Sequence, residues 1–312
     1  MQNDIRYSII IPHKDSTELL RRCLHSIPER GDIEVIVVDD NSQLDAEAEA
    51  TFPGKERNNV TCIFNKETGR WAGGARNIGL EKAHGEWLIF ADADDYFEPG
   101  AFDVFDKHAS DSADIVFFNV CSRFSDTGEP SNRDAHLRPL LEGYRQGDIK
   151  SEYLLRLNFH EPWAKMIRHQ IVRKKNLVFD EIRWANDEIF TTKLGCYAKE
   201  IAVDLSIVYC ITVAQGSLVH QRSLESRRCR YEVMLRANKI LREEGLGQYQ
   251  HSLMYSLRRV VKYGPKALRD FIQLGRQYDA NFLIGWDQWL KNAWQSILHD
   301  EDRDKKKYIV KQ

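Results

Sequence analysis

Strand-like and helix-like segments alternate along the first 120 residues, and this alternation constrains the fold more than any other feature of the sequence. Runs of β-branched and aliphatic residues occupy residues 7–11, 34–38, 60–64, 87–91 and 115–118. Apolar residues recur at helical spacing over residues 19–27 and 72–84, and Pro99 suits the first turn of a further helix. Strands joined through helices pair in parallel, so we predict an α/β fold with a mostly parallel sheet flanked by helices.

The pattern changes after residue 120. Residues 121–147 are polar and rich in turn formers, which predicts a loop, and a helix and a strand are predicted at residues 187–198 and 201–210. From residue 224 only helical periodicity remains, near residues 231–244, 249–263, 265–278 and 282–298. Single cores stop growing at ~250–300 residues, so we predict a first domain over residues 1–221 and a helical region over residues 222–312.

The charge distribution follows the same division. The formal net charge is -2, yet residues 1–120 carry 12 basic and 23 acidic side chains, whereas residues 222–312 carry 19 and 11. The six cysteines have no metal-ligand spacing, and no apolar leader precedes the first strand-like run. No apolar run approaches the ~18 residues of a membrane span. We therefore expect a cytoplasmic protein whose thiols are mostly buried.

Acidic residues follow two of the predicted strands. Asp39 and Asp40 end the second strand, and Asp92, Asp94 and Asp95 follow the fourth. Ligands of open α/β sheets bind at the carboxyl ends of the strands, and five carboxylates at two neighbouring strand ends repel one another unless a cation or several donors lie among them. We therefore predict a site for a hard divalent cation whose coordination substrate phosphates complete.

These acids also have simpler interpretations. Asp40, Asn41 and Ser42 together are typical of a turn with a helix cap, and that alternative stays open for this segment. An EF-hand is excluded, because counting from Asp92 places Phe97 where the calcium loop needs glycine.

A glycine-rich segment lies between the two acidic clusters, at residues 68–79. Glycines before a helix allow close backbone approach, and the helix amino terminus favours anions. Arginine side chains pair well with phosphate. The spacing matches neither the dinucleotide fingerprint nor the P-loop. We predict that Arg70, Gly74 and Arg76 contact the phosphates of a nucleotide.

Five short blocks occur in a fixed order along residues 8–95. They are Ser8-Ile9-Ile10-Ile11-Pro12, Val37-Val38-Asp39-Asp40-Asn41-Ser42, Gly74-Ala75-Arg76-Asn77-Ile78-Gly79, Gly85-Glu86-Trp87-Leu88-Ile89-Phe90 and Asp92-Ala93-Asp94-Asp95. In this order they resemble the family 2 glycosyltransferases of the A-type fold. Residues 162–168, Phe179 and residues 186–190 are similar to a segment of bacterial members that build surface polysaccharides. The resemblance ends near residue 220.

The resemblance implies roles for individual residues around a nucleotide-sugar and its metal, Mn²⁺ or Mg²⁺. Asp40 matches the acid that hydrogen-bonds the uracil of the donor, and the residues beside the base are Pro12, His13 and Lys14. Asp92, Ala93 and Asp94 match the DxD motif, in which Asp94 is the more direct metal ligand.

The resemblance also implies a general base. Asp187 matches the acid of the family's Glu-Asp pair, although Asn186 stands where that pair has Glu. Lys14 and Asp15 likewise stand where Tyr and Asn are common. From the residues alone, Asp187 has a second interpretation as an acid at the start of the helix that follows it.

The implied activity is an inverting, metal-dependent transfer of a sugar from a nucleotide-sugar, expected to be a UDP-sugar, to a hydroxyl of a glycan or lipid-linked acceptor in polysaccharide synthesis. A metal and Arg76 would stabilise the leaving diphosphate, and Asp187 would take the proton of the acceptor hydroxyl. Two alternatives stay open. One is a nucleotidyltransferase that forms sugar nucleotides, although an early Gly- and Lys/Arg-rich triphosphate loop is absent from the sequence. The other is a non-catalytic relative that binds nucleotide-sugars.

Three more residues have both a functional and a structural interpretation. Trp163 and Lys165 would line an acceptor pocket, or Trp163 would belong to the core. His220 would complete the metal site, or it would hydrogen-bond within a loop.

The predicted helical region carries basic side chains beside tryptophans. They are Arg227, Arg228, Arg230, Arg258, Arg259, Lys262, Lys266, Arg269, Trp286, Trp289 and Trp294. Such a surface suits peripheral contact with an anionic membrane at its inner face, where a lipid-linked acceptor would lie. The alternatives are a solvated basic face over a Trp-packed core and a homodimer contact. We expect no nucleic-acid partner, because the aromatic motifs of nucleic-acid-binding modules are missing from the sequence.

Overall fold

The computed structural model describes residues 5–67, 70–213, 223–284 and 286. The chain divides into two compact units, residues 1–221 and residues 222–312. The strands, all in the first unit, are β1 (Tyr7–His13), β2 (Ile33–Asp40), β3 (Val60–Asn65), β4 (Trp87–Phe90), β5 (Tyr96–Phe97), β6 (Ile115–Phe124), β7 (Lys165–Arg168) and β8 (Ile201–Val213). The helices of this unit are α1 (Thr17–His25), α2 (Ala46–Ala50), α3 (Trp71–Lys82), α4 (Ala101–Lys107), α5 (Arg138–Arg145), α6 (Ile149–Asn158), α7 (His169–Lys174) and α8 (Glu188–Tyr197).

The eight strands within the described residues form one sheet in the order β3-β2-β1-β4-β7-β6-β8-β5. β1 pairs in parallel with β2, where Ile9 lies opposite Val35, and with β4, where Ile9 lies opposite Ile89. β2 pairs in parallel with β3, and β6 with β8. β7 runs antiparallel to β4 and β6, and β5 runs antiparallel to β8. The predicted α/β fold with a mostly parallel sheet is confirmed. Each antiparallel pair of strands includes one of the two short strands, β5 or β7.

The central strands have continuous apolar runs because they lie inside the core. Every residue of β1 is buried, and so is every residue of β2 except Glu34. Parallel strands covered on both faces have runs of this kind rather than an alternating pattern. Burial on both faces therefore explains why the first strands are predictable from sequence.

Three sequence-based expectations are wrong in detail. The acidic ends of β2 and β4 are not neighbours, because β1 lies between these strands. Residues 121–147 are not a single loop, since β6 continues to Phe124 and α5 occupies Arg138–Arg145. Pro99 precedes α4 rather than starting it, because Gly100 caps this helix with a φ of 82°.

Aromatic packing holds the segment that leads into α8. The ring of Phe179 stacks on Phe190 with centroids 4.0 Å apart, and it meets the edge of Phe90 on β4 at 5.1 Å. The first turn of α3 contacts the same segment at Gly73, where a Cβ atom would lie 2.0 Å from the carbonyl oxygen of Asp180. Only glycine permits this approach, which joins α3, β4 and the segment before α8.

The second unit is helical in its described part. It contains α9 (Leu224–Glu243), α10 (Met254–Val260) and α11 (Pro265–Gln277), with 3₁₀ turns at Gly247–Tyr249 and Val261–Tyr263. The rings of Tyr231 and Phe271 stack at 4.9 Å in its core. The described residues of both units include no helix with the length and apolar character needed to cross a bilayer. His220, Trp289, Trp294 and most of the helix predicted at residues 282–298 lie outside the described residues.

Candidate active site

A cleft opens at the carboxyl end of β1, between β2 and β4. Ligands of doubly wound sheets bind outside the carboxyl ends of the strands, at the point where the strand order reverses. The cleft has a volume of about 570 Å³, within the ~300–1,000 Å³ of small-molecule sites. Its lining residues are Pro12, His13, Lys14, Ser16, Leu19, Asp40, Trp71, Ala72, Arg76, Asp92, Ala93, Asp94, Arg183 and Asn186. Every residue predicted at the base or in the DxD motif is among them.

Asp39 organises the ends of β1 and β2. Its carboxylate accepts hydrogen bonds from Nδ1 of His13 at 2.7 Å, and from the backbone N–H and hydroxyl of Ser42 at 2.9 and 2.5 Å. Nε2 of His13 accepts from the backbone N–H of Ser16 at 3.1 Å, so the proton lies on Nδ1. Burial raises the pKa of Asp39, but the hydrogen bonds from His13 and Ser42 outweigh burial and hold it below its usual value. The Asp39 carboxylate is therefore occupied by hydrogen bonds within the protein.

Asp40 differs from Asp39 because it borders the cleft. In the described part of the chain its carboxylate accepts one hydrogen bond, from the side-chain amide of Asn65 at 3.2 Å. Lys14 donates from Nζ to the backbone oxygens of Asp40 and Asn41 at 2.6 and 3.2 Å. Lys14 therefore fixes the loop after β2, and the Asp40 carboxylate keeps acceptor capacity for a ligand.

The acids after β4 form a cluster. Oxygen atoms of Asp92, Asp94 and Asp95 lie within 4.8 Å of one another. Burial, and then the charges of Asp94 and Asp92, raise the pKa of Asp95 well above its usual value. Burial and the charge of Asp92 raise the pKa of Asp94 to about 6. The cluster therefore stores repulsion that a cation would relieve.

Asp95 is held by hydrogen bonds within the protein. Its carboxylate accepts from the backbone N–H of Thr212 at 2.7 Å and from the hydroxyl of Tyr209. The same hydroxyl accepts from the backbone N–H of Asp92 at 2.8 Å, so Asp95 and Tyr209 fix the loop from within. Asp92 and Asp94 border the cleft, and their carboxylate oxygens could hold a hard cation such as Mg²⁺ or Mn²⁺.

Arg76 joins the DxD loop to the segment before α8. One guanidinium nitrogen donates to Asp92 at 2.6 Å and another to Asn186 at 2.9 Å. The guanidinium also lies over the ring of Phe179, 5.4 Å from its centroid. Arg76 is 5% exposed, so these partners compensate its burial. Arg76 lines the cleft and its described hydrogen bonds restrain Asp92 and Asn186, while its contact with phosphate stays a prediction.

Asp187 lies beside the lining residue Asn186, where α8 begins. It occupies the N-cap position, but its side chain makes no capping hydrogen bond. Burial raises the pKa of Asp187 to about 6, while the nearby Arg76 acts in the opposite direction. A partly buried carboxylate with this pKa is suited to proton transfer near neutral pH. The capping interpretation explains the position of Asp187 at the start of α8, but it does not explain why the side chain makes no capping hydrogen bond.

Arg70 and Gly74 are not part of this cleft. Arg70 donates to both carboxylate oxygens of Glu181 at 2.6 and 3.1 Å, and it borders a separate cavity of about 510 Å³. A Cβ atom at Gly74 would lie 2.5 Å from Cβ of Arg70, so Gly74 leaves room for this ion pair. Their contact with phosphate stays a prediction.

Trp163 and Lys165 belong to the core. The ring of Trp163 stacks on Tyr209, with centroids 5.8 Å apart. Lys165 is 2% exposed and donates to the backbone oxygens of Phe159 and Glu161. Neither lines the cleft.

Arg183 and Trp71 line the cleft, although sequence reasoning assigned no role to either. The guanidinium of Arg183 lies over the rings of Trp71 and Trp184, 5.3 and 5.0 Å from their centroids. Trp71 has a φ of 55°, which is unusual for a bulky residue and is found mainly at functional sites. The adjacent residues Arg183 and Trp184, shortly before Asn186, were the signal in the sequence that could have pointed to this part of the cleft.

This chain is similar in sequence to a family of glycosyl transferases and to individual bacterial members. The sequence profile of Glycosyl transferase family 2 matches residues 8–174. EpsH of Bacillus subtilis strain 168 is 26% identical over 69% of this chain. The poly(ribitol-phosphate) beta-N-acetylglucosaminyltransferase TarS of Staphylococcus aureus strain Mu50 is 26% identical over 64% of this chain. The matches span 62% of EpsH and 34% of TarS.

Solved structures show the same fold. Residues 1–349 of S. aureus TarS, crystallised with UDP-GlcNAc, match with a TM-score of 0.61 and 23% identity, over 86% of this chain and 81% of that one. The mannosyltransferase PcManGT of Pyrobaculum calidifontis, in complex with GDP-Man and Mn²⁺, matches with a TM-score of 0.51 and 14% identity, over 95% and 88% of the two chains.

The Asp39 network yields a stability prediction. Asp39→Asn should lower the free energy of unfolding by about 1–3 kcal/mol, because the bonds from His13 and Ser42 lose their charged acceptor. Urea unfolding at neutral pH measures this, with the exposed Asp103→Asn on α4 as control. The pKa of Asp39 is lowered on folding, so its contribution is present above the unfolded pKa of about 4 and is lost as the pH falls through the folded value. Equal stability of the two variants at neutral pH would contradict the network.

Proposed function

The chain belongs to glycosyl transferase family 2 and has the A-type fold, and from this premise we propose that it transfers a sugar from a nucleotide-sugar to an acceptor hydroxyl. The observation that carries the proposal is the convergence of Asp40, Asp92 and Asp94 on one cleft, together with the position of Asp187 beside it. The donor would be a UDP-sugar and the acceptor a glycan or a lipid-linked glycan of polysaccharide synthesis.

The donor base would lie at the end of β1. Asp40 has free acceptor capacity for an N–H of uracil, and Pro12 and His13 form the adjoining wall. The tie between Lys14 and the backbone of residues 40 and 41 keeps this wall in place. The UDP-GlcNAc complex of TarS, a relative by sequence and fold, supports this class of donor.

Asp92 and Asp94 would hold the divalent metal. The raised pKa of Asp94 and the closeness of the two carboxylates fit a cation-binding pair. When bound, Mn²⁺ or Mg²⁺ would neutralise charge on the departing diphosphate. Arg76 would keep Asp92 aimed at the cleft, because its 2.6 Å bond restrains that carboxylate.

Asp187 would act as the general base. It would accept the proton of the acceptor hydroxyl while that oxygen attacks the anomeric carbon from the side opposite the diphosphate. Attack from that side inverts the anomeric centre. The β-linkage in the name of TarS supports inversion, since it is the product expected from an α-linked donor.

Two alternatives predict different outcomes. A nucleotidyltransferase would consume a nucleoside triphosphate and a sugar phosphate. A non-catalytic relative would bind UDP in a metal-dependent manner without releasing it from a UDP-sugar. The geometry favours the transferase over the second alternative, because Asp187 has the pKa and the position of a base and makes no capping bond.

Removal of the metal or its ligand should abolish turnover. We expect chelator, and separately Asp94→Asn, to lower release of UDP from the preferred UDP-sugar with Mn²⁺ by about 100-fold or more. A screen of UDP-, GDP- and dTDP-sugars identifies the donor first, and Asp103→Asn serves as control. Turnover that survives both changes would contradict the proposal, as would consumption of a nucleoside triphosphate with a sugar phosphate.

The base should appear in the pH profile. With metal saturating, transfer should rise with pH through about 6, because Asp187 must be deprotonated to accept a proton. Asp187→Asn should lower the rate by ~10²–10⁴-fold with little change in donor affinity. The titratable groups around Asp187 are Arg76, Asp92, Glu161, Lys165 and Glu188.

Glu188→Gln is the matched control for Asp187→Asn. Burial raises the pKa of Glu188 to about 8, so this side chain is already neutral at pH 7 and the amide preserves its state. The control should retain its rate within a few-fold. An Asp187→Asn variant with full activity would exclude the assigned base.

The second unit would bring the enzyme to the inner face of a membrane. Residues 255–269 expose five basic side chains together with Tyr255 and Val261, which are 61% and 57% exposed. Those basic residues are Arg258, Arg259, Lys262, Lys266 and Arg269. Cationic charge interleaved with exposed apolar groups is typical of helices that lie on anionic lipid.

Vesicle flotation tests this contact. The wild type should float with vesicles containing phosphatidylserine at low salt, and neutralising Arg258, Arg259 and Lys262 to Gln should weaken binding about 100-fold, at ~1 kcal/mol per charge. Neutralising the exposed Arg145, Lys150 and Lys174 of the first unit is the charge-matched control. Equal loss in both triple variants, or a dimer that does not bind vesicles, would contradict this role.

A further inference from the structure

Two cysteines and a glutamate meet at the β8 end of the sheet. Cys121 on β6 and Cys210 on β8 are direct register partners in neighbouring parallel strands. Tyr96 on β5 pairs with Cys210 from the other side, and Glu98 follows two residues later. Because side chains alternate along a strand, register brings the two thiols to one face of the sheet. None of Glu98, Cys121 and Cys210 lines the cleft.

The distances suit one metal ion. The two Sγ atoms and a carboxylate oxygen of Glu98 lie within 4.8 Å of one another. Sulfur ligands 2.3 Å from a tetrahedral Zn²⁺ lie ~3.8 Å apart, so small side-chain adjustments would complete the geometry. Three protein ligands leave the fourth position to water.

A hydrogen bond already joins two of the three groups. The thiol of Cys121 donates to Glu98 at 3.3 Å, Cys210 is fully buried, and neither Cys121 nor Cys210 forms a disulfide. Because cysteine binds a metal ion as the thiolate, a divalent cation would replace the protons of these groups.

We propose that Glu98, Cys121 and Cys210 form a binding site for a thiophilic divalent cation, Zn²⁺. Thiolate ligands select Zn²⁺ over Mg²⁺ and Mn²⁺, whereas Asp92 and Asp94 have the opposite preference, so the chain has two sites that take different ions. The ion would connect β6, β8 and the residue after β5. Since β5 directly follows the acidic loop, it would also brace that loop from its far end.

Cobalt provides a spectroscopic probe. Titration of the full-length, reduced, metal-free protein with Co²⁺ should produce a thiolate-to-cobalt charge-transfer band that saturates at one equivalent and disappears on addition of Zn²⁺. The band should persist in Asp94→Asn, which removes a carboxylate ligand of the other site, and in Cys62→Ser, which removes a thiol on β3. It should be absent from Cys121→Ser and Cys210→Ser.

Glu98→Gln keeps the shape of the side chain and both thiols. It therefore tests the proposed Zn²⁺ site even if the cysteine variants fold poorly. It should retain the band with at least ~10-fold weaker Zn²⁺ affinity. Zn²⁺ should also protect the partly exposed thiol of Cys121 in the wild type from alkylation. The proposal is overturned if the wild type gives no sulfur band, if the band survives Cys210→Ser, or if Cys121 and Cys210 are protected only as a disulfide.

Discussion

Five carboxylates crowd the ends of β2 and β4, and the way the protein neutralises them determines the rest of the site. Asp39 is bound by His13 and Ser42, and Asp95 is bound by Thr212 and Tyr209. Asp92 is paired with Arg76 while still bordering the cleft. Asp40 and Asp94 keep the most capacity for a ligand. Hydrogen bonds within the protein thus hold Asp39 and Asp95, whereas Asp40 and Asp94 are left at the cleft where a substrate and its cation would bind.

Arg76 connects this electrostatic arrangement to the proposed chemistry. It bonds the DxD loop on one side and Asn186, the neighbour of Asp187, on the other. The stacked rings of Phe179 and Phe190 support the same segment from below the guanidinium. The family resemblance implies a Glu at residue 186, where the side-chain oxygen of Asn186 accepts a hydrogen bond from Arg76. The buried guanidinium of Arg76 therefore connects the acids proposed to bind the metal to the proposed base.

The sequence predicts what depends on local pattern. β1 to β4, α3 and the acids of the strand ends follow from apolar runs and their polar boundaries. Features that depend on distant pairing were missed. Arg70 bonds Glu181, which is 111 residues away, and Cys121 meets Cys210 only because β6 and β8 are neighbours. Cysteine spacing along the chain carries no trace of that register, and β5 has only two residues, too few for periodicity.

The central claim is that the ends of β1, β2 and β4 form one nucleotide-sugar site. A crystal structure with UDP and Mn²⁺ tests it most directly. We expect uracil to lie against Pro12 and Asp40, with Mn²⁺ between the diphosphate and the carboxylates of Asp92 and Asp94. A nucleotide bound elsewhere, such as the cavity beside Arg70, or Mn²⁺ without a carboxylate of this pair, would contradict it.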